Sequence, residues 1–245
     1  MPTEPINPLT SNYYATTAAR GHNATEQHYR AGAEAFRRRI GPWMPANRSA
    51  SLLDLGCGCG EVMYTFEKSG FQNVEGVDLC QEELDQARLF VRGQLHHMDV
   101  FENLRARADQ SVDVITALNL VEHLPKASLP DFFKEVRRVL KSGGSFIAMI
   151  PNAISPFGAS TRYWDLTHET AFTPNNFRQL AALVGLSPRV DFRECAPVPH
   201  GPVSTLRYVL WQGLRAGIAS WFLIEGGVTR GGVYTMDMMV RLHRE

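Results

Sequence analysis

Three glycines alternate with cysteines in the stretch SLLDLGCGCGEV, Ser51 to Val62, directly after an apolar run. Gly56, Gly58 and Gly60 carry no side chain, so backbone there can approach a ligand closely. Asp54 precedes them and Glu61 follows. Two more acids end strand-like runs: Asp78 in VEGVDL and Asp99 in HHMD. A second set of chemistry-bearing residues lies in one polar stretch, PNAISPFGASTRYWDLTHETAFTP, from Pro151 to Pro174. It holds Arg162, Tyr163, Trp164, Asp165, His168 and Glu169. His123 in NLVEHLP stands apart from both sets. The first set has the makings of a nucleotide-type cradle. The second has aromatics to stack, carboxylates to accept protons, an arginine to pair an acid, and a histidine that titrates near neutrality.

Three ligands compete for the glycine turn. A nucleoside-triphosphate loop needs G-x-x-x-x-G-K-[ST], and no lysine is present. A dinucleotide fingerprint needs G-x-G-x-x-G, and the third glycine position is Glu61. A carboxylate there suits a helix N-terminus but repels a pyrophosphate seated at the same helix end. A cationic nucleoside without phosphate is compatible with Glu61, and S-adenosylmethionine is such a molecule. Asp78 is placed to accept both ribose hydroxyls, and Asp99 to meet an adenine amino group. The competing account is a dinucleotide-type sheet whose acids are incidental.

The elements that must position these groups follow a β/α rhythm. Strands are expected at SLLDLG, NVEGVDL, QLHHMDV, SVDVITAL and SFIAMIP. Helices are expected at EVMYTFEKSG, QEELDQARLFVRG and LPDFFKEVRRVLKSGG. Several strands are near-continuous apolar runs, as in parallel sheets covered on both faces. After a long loop from Asn152 to Thr173 come a helix, PNNFRQLAALVGL, and strands at Arg189–Glu194 and Val233–His243. The fold class is therefore α/β: a doubly wound, Rossmann-like, mostly parallel sheet. A helical segment over residues 1–50, capped at Asn23 or Thr25, precedes a domain over 51–245 that carries an insertion at 196–231.

The chain resembles the class I S-adenosylmethionine-dependent methyltransferases through LDLGCGCG (53–60), GVDL (76–79), MDV (98–100) and NLVEHLP (119–125). The resemblance implies a seven-stranded sheet with an antiparallel last strand. It also implies that Asp54, Gly56, Gly58 and Gly60 surround the methionine part, and that Asp78 binds the ribose. Leu79 would pack on the adenine, Asp99 hold its amino group with help from the Val100 backbone, and Asn119 lie beside the reacting sulfur. The family's [DN]-P-P-[YF] motif for exocyclic amines reads NLVE here, which disfavours adenine N6 as acceptor. RYWDLTHETAFTP looks like a sequence of methyltransferases associated with surface-polysaccharide and sugar modification. The expected activity is methyl transfer to a hydroxyl of a sugar or glycan. The rivals are O-methylation of a small aromatic or natural product, and a non-catalytic cofactor-binding scaffold.

Methyl transfer from a sulfonium is an in-line displacement, so the protein mainly positions the acceptor, and a hydroxyl also needs a base. His168 is the first candidate base, with a loop-pinning role as its alternative. His123 is the second, its alternative being a contact to cofactor or backbone. Asp165 would position the acceptor or orient His168, and Arg162, Tyr163, Trp164 and Glu169 would bind the acceptor. His96 and His97 have no metal-ligand spacing and are expected to be structural, so no metal is assigned. Cys57 and Cys59 read as small filler around the cofactor rather than a thiolate pair.

The apolar stretch Ser204–Gly227, with Arg207 and Arg215 expected along one face, is expected to be a helix packed on the domain or across a homodimer interface. The alternative is a membrane-surface element meeting lipid phosphates. The N-terminal helix, with Tyr13, Tyr14, His28, Tyr29 and Arg30 before or within it, is either a lid over the cofactor or a cover for the sheet. The 245 residues carry 44% hydrophobic and 20% charged residues at formal net charge +0, which argues against a dedicated nucleic-acid binder. Four cysteines without a disulfide pattern, no signal-peptide pattern and no spanning apolar run suggest the cytoplasm, with peripheral contact to the inner membrane face as a variant.

Overall fold

The computed structural model describes residues 25–227, 229 and 232–245. Seven strands form one sheet: β1 (Ser51–Leu55), β2 (Asn73–Asp78), β3 (Gln94–His97), β4 (Val112–Leu118), β5 (Leu140–Pro151), β6 (Val190–Glu194) and β7 (Asp237–His243). Their order is β3-β2-β1-β4-β5-β7-β6. The first five run parallel, and β7 pairs antiparallel with both β5 and β6. The order turns between β1 and β4, so the crevice at their carboxyl ends is where a ligand enters a sheet of this kind.

Consecutive residues of each central strand face opposite ways, and both sides are buried. Leu53, Ile115, Phe146 and Val240 enter one core cluster, while their neighbours Leu52, Val114, Ile147 and Met239 enter the other. The apolar strands therefore have no polar side to alternate with. On the first face lie α4 (Val100–Ala106), α5 (Leu129–Val139) and α7 (Pro174–Val184). There Phe133 meets Phe132, Phe146 and Phe177 edge-on, with ring centroids at 5.3, 5.3 and 6.0 Å. On the second face lie α1 (Glu26–Ile40) and α2 (Glu61–Lys68), with Tyr29, Ile40, Met63 and Phe66 in the core. Also present are α3 (Gln81–Ala87), the short α6 (Gly158–Arg162) and α8 (Pro202–Gly226), which stands between β6 and β7 as the expected insertion.

Several elements differ from the sequence expectation, among them α5, which ends at Val139 rather than Gly144, and β7, which begins at Asp237 rather than Val233. The third strand ends at His97, and Asp99 instead caps α4, accepting from Phe101 N at 2.8 Å and Glu102 N at 3.3 Å. The signal was an acid followed three residues later by Glu102, the pattern of a capped helix start. Strand β5 begins at Leu140 rather than Ser145, because β4 and β5 pair across a register shift between Val112 and Val114. Helix α3 ends at Ala87, short of Gly93. At the N-terminus Thr25 is the cap of α1, its side chain accepting from His28 N, whereas Asn23, Tyr13 and Tyr14 lie outside the described residues.

No helix among the described residues is long and apolar enough to cross a membrane. The Phe133 cluster joins α5 and α7 to the sheet. Phe133→Ala is expected to lower unfolding free energy by about 3–5 kcal/mol, read by urea denaturation; a loss below about 1 kcal/mol would show that the cluster collapses around the gap.

Candidate active site

The glycine turn holds its shape through the backbone. Gly56, Gly58 and Gly60 all have positive φ, at 64°, 51° and 83°. Gly56 N and Cys57 N donate to Val77 O at 2.9 and 3.0 Å, which fastens the turn to β2. A Cβ on Gly56 would sit 3.1 Å from the Leu120 side chain, and one on Gly60 3.1 Å from Ala87 Cβ. From the N-terminal side, the Tyr29 hydroxyl donates to Cys59 O at 2.5 Å while its ring stacks on Phe90. Helix α1 thus reaches the turn itself as well as covering the sheet.

Four carboxylates crowd this turn. Asp78 Oδ2 accepts from Gly58 N at 2.8 Å and its Oδ1 from Cys80 N at 2.8 Å, so one side chain joins the turns after β1 and β2. Asp54 is buried; Thr116 Oγ1 donates to its Oδ1 at 2.6 Å, and its Oδ2 has no hydrogen-bond partner among the described residues. Burial first, then Glu61 and Asp78, pushes Asp54 up to about 7. Burial with Asp78, Glu61 and Glu82 likewise pushes Glu83 up to about 7, and burial raises Asp78. Glu61, at the first turn of α2, completes the set. Burial and the acids also push the Cys59 thiol up to about 12, which removes the thiolate alternative for that residue. A negative cradle with one orphaned buried oxygen fits a cationic ligand and opposes a pyrophosphate.

A second group lies two residues beyond Leu120. A short 3₁₀ turn, Val121–His123, follows β4 through Asn119, whose φ is 52°. The Glu122 carbonyl accepts from Glu169 N at 2.7 Å and Thr170 N at 3.2 Å, folding the long loop back onto this turn. Thr167 Oγ1 donates to Asp165 Oδ1 at 2.7 Å and so must accept from His123 Nδ1, 2.6 Å away. This assigns the His123 proton to Nδ1 and makes Nε2 the basic nitrogen. Burial, then His168, pulls His123 down to about 4. His168 donates from Nδ1 to Thr161 O at 3.0 Å, and its ring meets that of His123 edge-on at 4.7 Å. The Glu122 side chain is buried with Oε2 unpartnered among the described residues, and burial with Asp237 and Asp165 pushes it up to about 8. Ligand atoms of Glu122, His123 and His168 lie within 4.8 Å of one another, a spacing that would also suit a divalent cation.

The expected residues fall as follows. Asp54, Gly56, Gly58, Gly60 and Asp78 come together, and Leu79 stands beside them with 53% of its surface exposed. Asn119 is exposed at the end of β4 and anchored by its backbone N–H to Met149 O. Val100 is buried in the first turn of α4, and Asp99 is partly committed as that helix's cap. Asp165 orients His123 through Thr167 and not His168, a correction that follows from its hydrogen bond to the Thr167 hydroxyl. Arg162 donates to the Glu169 carbonyl and lies over the Tyr163 ring, so part of its donor capacity is used inside the loop. Tyr163, Trp164 and Leu166 project with 76%, 81% and 84% exposure. His96 and His97 bond to Glu75 and to the Leu79 carbonyl, respectively, in keeping with structural roles. Sequence reasoning did not single out Glu83 or Glu122, because their neighbours are set by chain segments far apart in the sequence.

Comparison with known proteins agrees with this geometry. Residues 53–148, the segment bearing the turn, Asp78 and Asn119, match the family model described as methyltransferase domain. A ubiquinone biosynthesis O-methyltransferase of Idiomarina loihiensis is 34% identical over 97 residues, which is 38% of this chain and 39% of that protein. One of the same name from Actinobacillus pleuropneumoniae is 34% identical over 37% of this chain and 47% of its own length. The chain thus spans less than half of the length of these curated relatives. Among solved structures, an S-adenosylmethionine-dependent methyltransferase of Archaeoglobus fulgidus superposes with TM-score 0.63 at 18% identity, covering 89% of this chain and 96% of that one. A Haloferax volcanii methyltransferase solved with the Trm112 activator gives TM-score 0.65 at 18% identity, covering 96% and 98%. At that identity the two structures speak for the shared fold.

Raised carboxyl groups give a sign to the pH dependence of the ligand-free protein. Asp54, Glu83 and Glu122 bind protons in the native state at pH values where the unfolded chain has released them. Stability is therefore expected to fall as pH rises from about 4 through about 8. Asp54→Asn should flatten that slope, measured by urea unfolding at several pH values; an unchanged slope would remove Asp54 as a contributor.

Proposed function

We propose that this chain transfers a methyl group from S-adenosylmethionine to a hydroxyl of a small molecule. One observation supports it above the others: the acidic glycine turn with the orphaned Asp54 Oδ2, which matches a ligand carrying an ammonium and a sulfonium but no phosphate. Bound there, the cofactor supplies a methyl already activated on positive sulfur. Asp54 Oδ2 would accept from the ammonium group. Asp78 keeps lone pairs beyond its two backbone bonds, enough to accept the ribose hydroxyls. Leu79 would cover one face of the base, Asp99 would accept the adenine amino proton, and Asn119 would border the reacting centre.

For the acceptor, His123 Nε2 is the base we favour. Its ring is held by Thr167 and Asp165, and its depressed pKa keeps it neutral. His168 backs this ring and would carry a second site for the proton. Phe157, Tyr163, Trp164 and Leu166 project from the loop as apolar and aromatic surface. Such a rim favours an acceptor with an apolar or aromatic body. The O-methyltransferase names of the curated relatives support hydroxyl chemistry. A sugar or glycan hydroxyl is the second reading. It is supported by the exposed Tyr163 and Trp164 faces, which stack on sugar rings, and by the likeness of RYWDLTHETAFTP to sugar-modifying enzymes.

Calorimetry with S-adenosylhomocysteine, the demethylated product, should show binding to the wild type and at least about tenfold weaker binding to Asp78→Ala, about 1.4 kcal/mol or more. Absence of any heat in the wild type would overturn the cofactor assignment. His123→Ala should lower kcat by about 10²–10⁴ with that affinity kept. Because His123 sits near pKa 4, kcat should show no limb from it above about pH 6. A neutral-pH limb abolished by His168→Ala would instead assign the proton transfer to His168.

A further inference from the structure

Helix α8 is 25 residues long and, at 1.5 Å per residue, extends about 37 Å. Along it, Ser204 is buried and Trp211, Arg215, Ile218 and Phe222 are half-buried; these residues share one side and face the domain. Trp211 Nε1 and Arg215 both reach Glu194, and Phe222 stacks on Tyr234. Arg215 therefore belongs to the domain-facing side, whereas Arg207 is exposed, so the two arginines do not share the face expected of them.

The opposite side carries Val203, Leu206, Leu210, Gly213, Gly217, Ser220 and Ile224. Their spacing of alternately three and four residues is that of a coiled-coil seam over about three heptads. Leu206, Leu210 and Ile224 are 59%, 64% and 87% exposed. A Cβ on Gly213 or Gly217 would meet nothing within 4 Å. Each glycine in a helix interior costs about 1 kcal/mol relative to alanine, and nothing among the described residues approaches these two closely enough to require a bare backbone.

We infer that this seam is an interface with a second copy of the same chain, formed by antiparallel pairing of α8 about a two-fold axis near Arg215. In that register Leu206 opposes Ile224 of the second copy, Leu210 opposes Ser220, and Gly213 opposes Gly217. Each layer matches the alternate seam positions that antiparallel coiled coils bring together. The small residues fall at the centre, where the helix axes approach most closely. The charges agree: Arg207 and Glu225 lie on the same flank of the seam, and the two-fold operation brings each within about two residues of the other's counterpart. A lipid surface fits less well. Interfacial helices draw on a lysine- and arginine-rich polar face, whereas Arg215 is bound to Glu194 and Glu225 offsets Arg207.

Light scattering and sedimentation equilibrium on the full chain at micromolar concentration should report a dimer. Leu206→Glu with Ile224→Glu, both at exposed positions, should give a monomer with an unchanged thermal unfolding profile. Arg207→Glu should weaken dimerisation at least tenfold, and adding Glu225→Arg should restore it. Oxidation should link copies of a variant carrying both Leu206→Cys and Ile224→Cys, but not one carrying Leu206→Cys alone. A monomer at every concentration, a dimer indifferent to the glutamates, or a monomer that sediments with phosphatidylglycerol vesicles would each overturn the proposal.

Discussion

An excess of carboxylate around a glycine turn is the constraint from which the rest of the site follows. Asp54, Glu61, Asp78 and Glu83 converge there; Asp54, Asp78 and Glu83 are raised by burial, and Asp54 and Glu83 also by the charges of Glu61 and Asp78. The chain supplies backbone N–H groups to Asp78 and one hydroxyl to Asp54, which satisfies part of this charge and leaves Asp54 Oδ2 unsatisfied. Leaving a buried acceptor unmade is costly, and a ligand that brings positive charge would relieve that cost. The same fact separates this turn from its phosphate-binding counterparts: backbone geometry is shared, but the sign of the surrounding charge is reversed.

That turn is coupled to the second group by direct contact. Leu120 sits where a side chain on Gly56 would intrude, and the next three residues form the turn bearing Glu122 and His123. The Glu122 carbonyl then holds Glu169 and Thr170, so the loop carrying Asp165, Thr167 and His168 is registered on the end of β4. Gly56 and His123 are thus joined through Leu120 and the three-residue turn that follows it. In the proposed reaction, a base at His123 would have its distance to the methyl donor set by the end of β4 rather than by loop flexibility, as an in-line displacement demands.

The sheet, its switch point and the glycine turn were legible in the sequence because each depends on local pattern. Near-continuous apolar strands announced a doubly covered sheet, and Gly56, Gly58 and Gly60 require positive φ. Helix α4 was written in the sequence as well, in Asp99 and Glu102, but a strand-end acid had already been given a ligand-binding role. What the sequence could not carry was partnership across distance. Asp165 was paired with His168, its near neighbour, whereas the fold gives it to His123, 42 positions away, through Thr167. Glu83 gave no local sign of its role because only the turn after β2 brings it to Gly58.

The two faces of α8 show the same limit from the other direction. Composition alone made the segment apolar and helical, and the expectation put Arg207 and Arg215 on one face. Glu194, at the end of β6, decides otherwise: it takes Arg215 and Trp211 together and so fixes the rotation of the helix. Once that rotation is set, the outward face is no longer a matter of composition. It includes Val203, Leu206, Leu210 and Ile224 around two glycines, and in the proposed pairing that bare backbone lets a second helix approach.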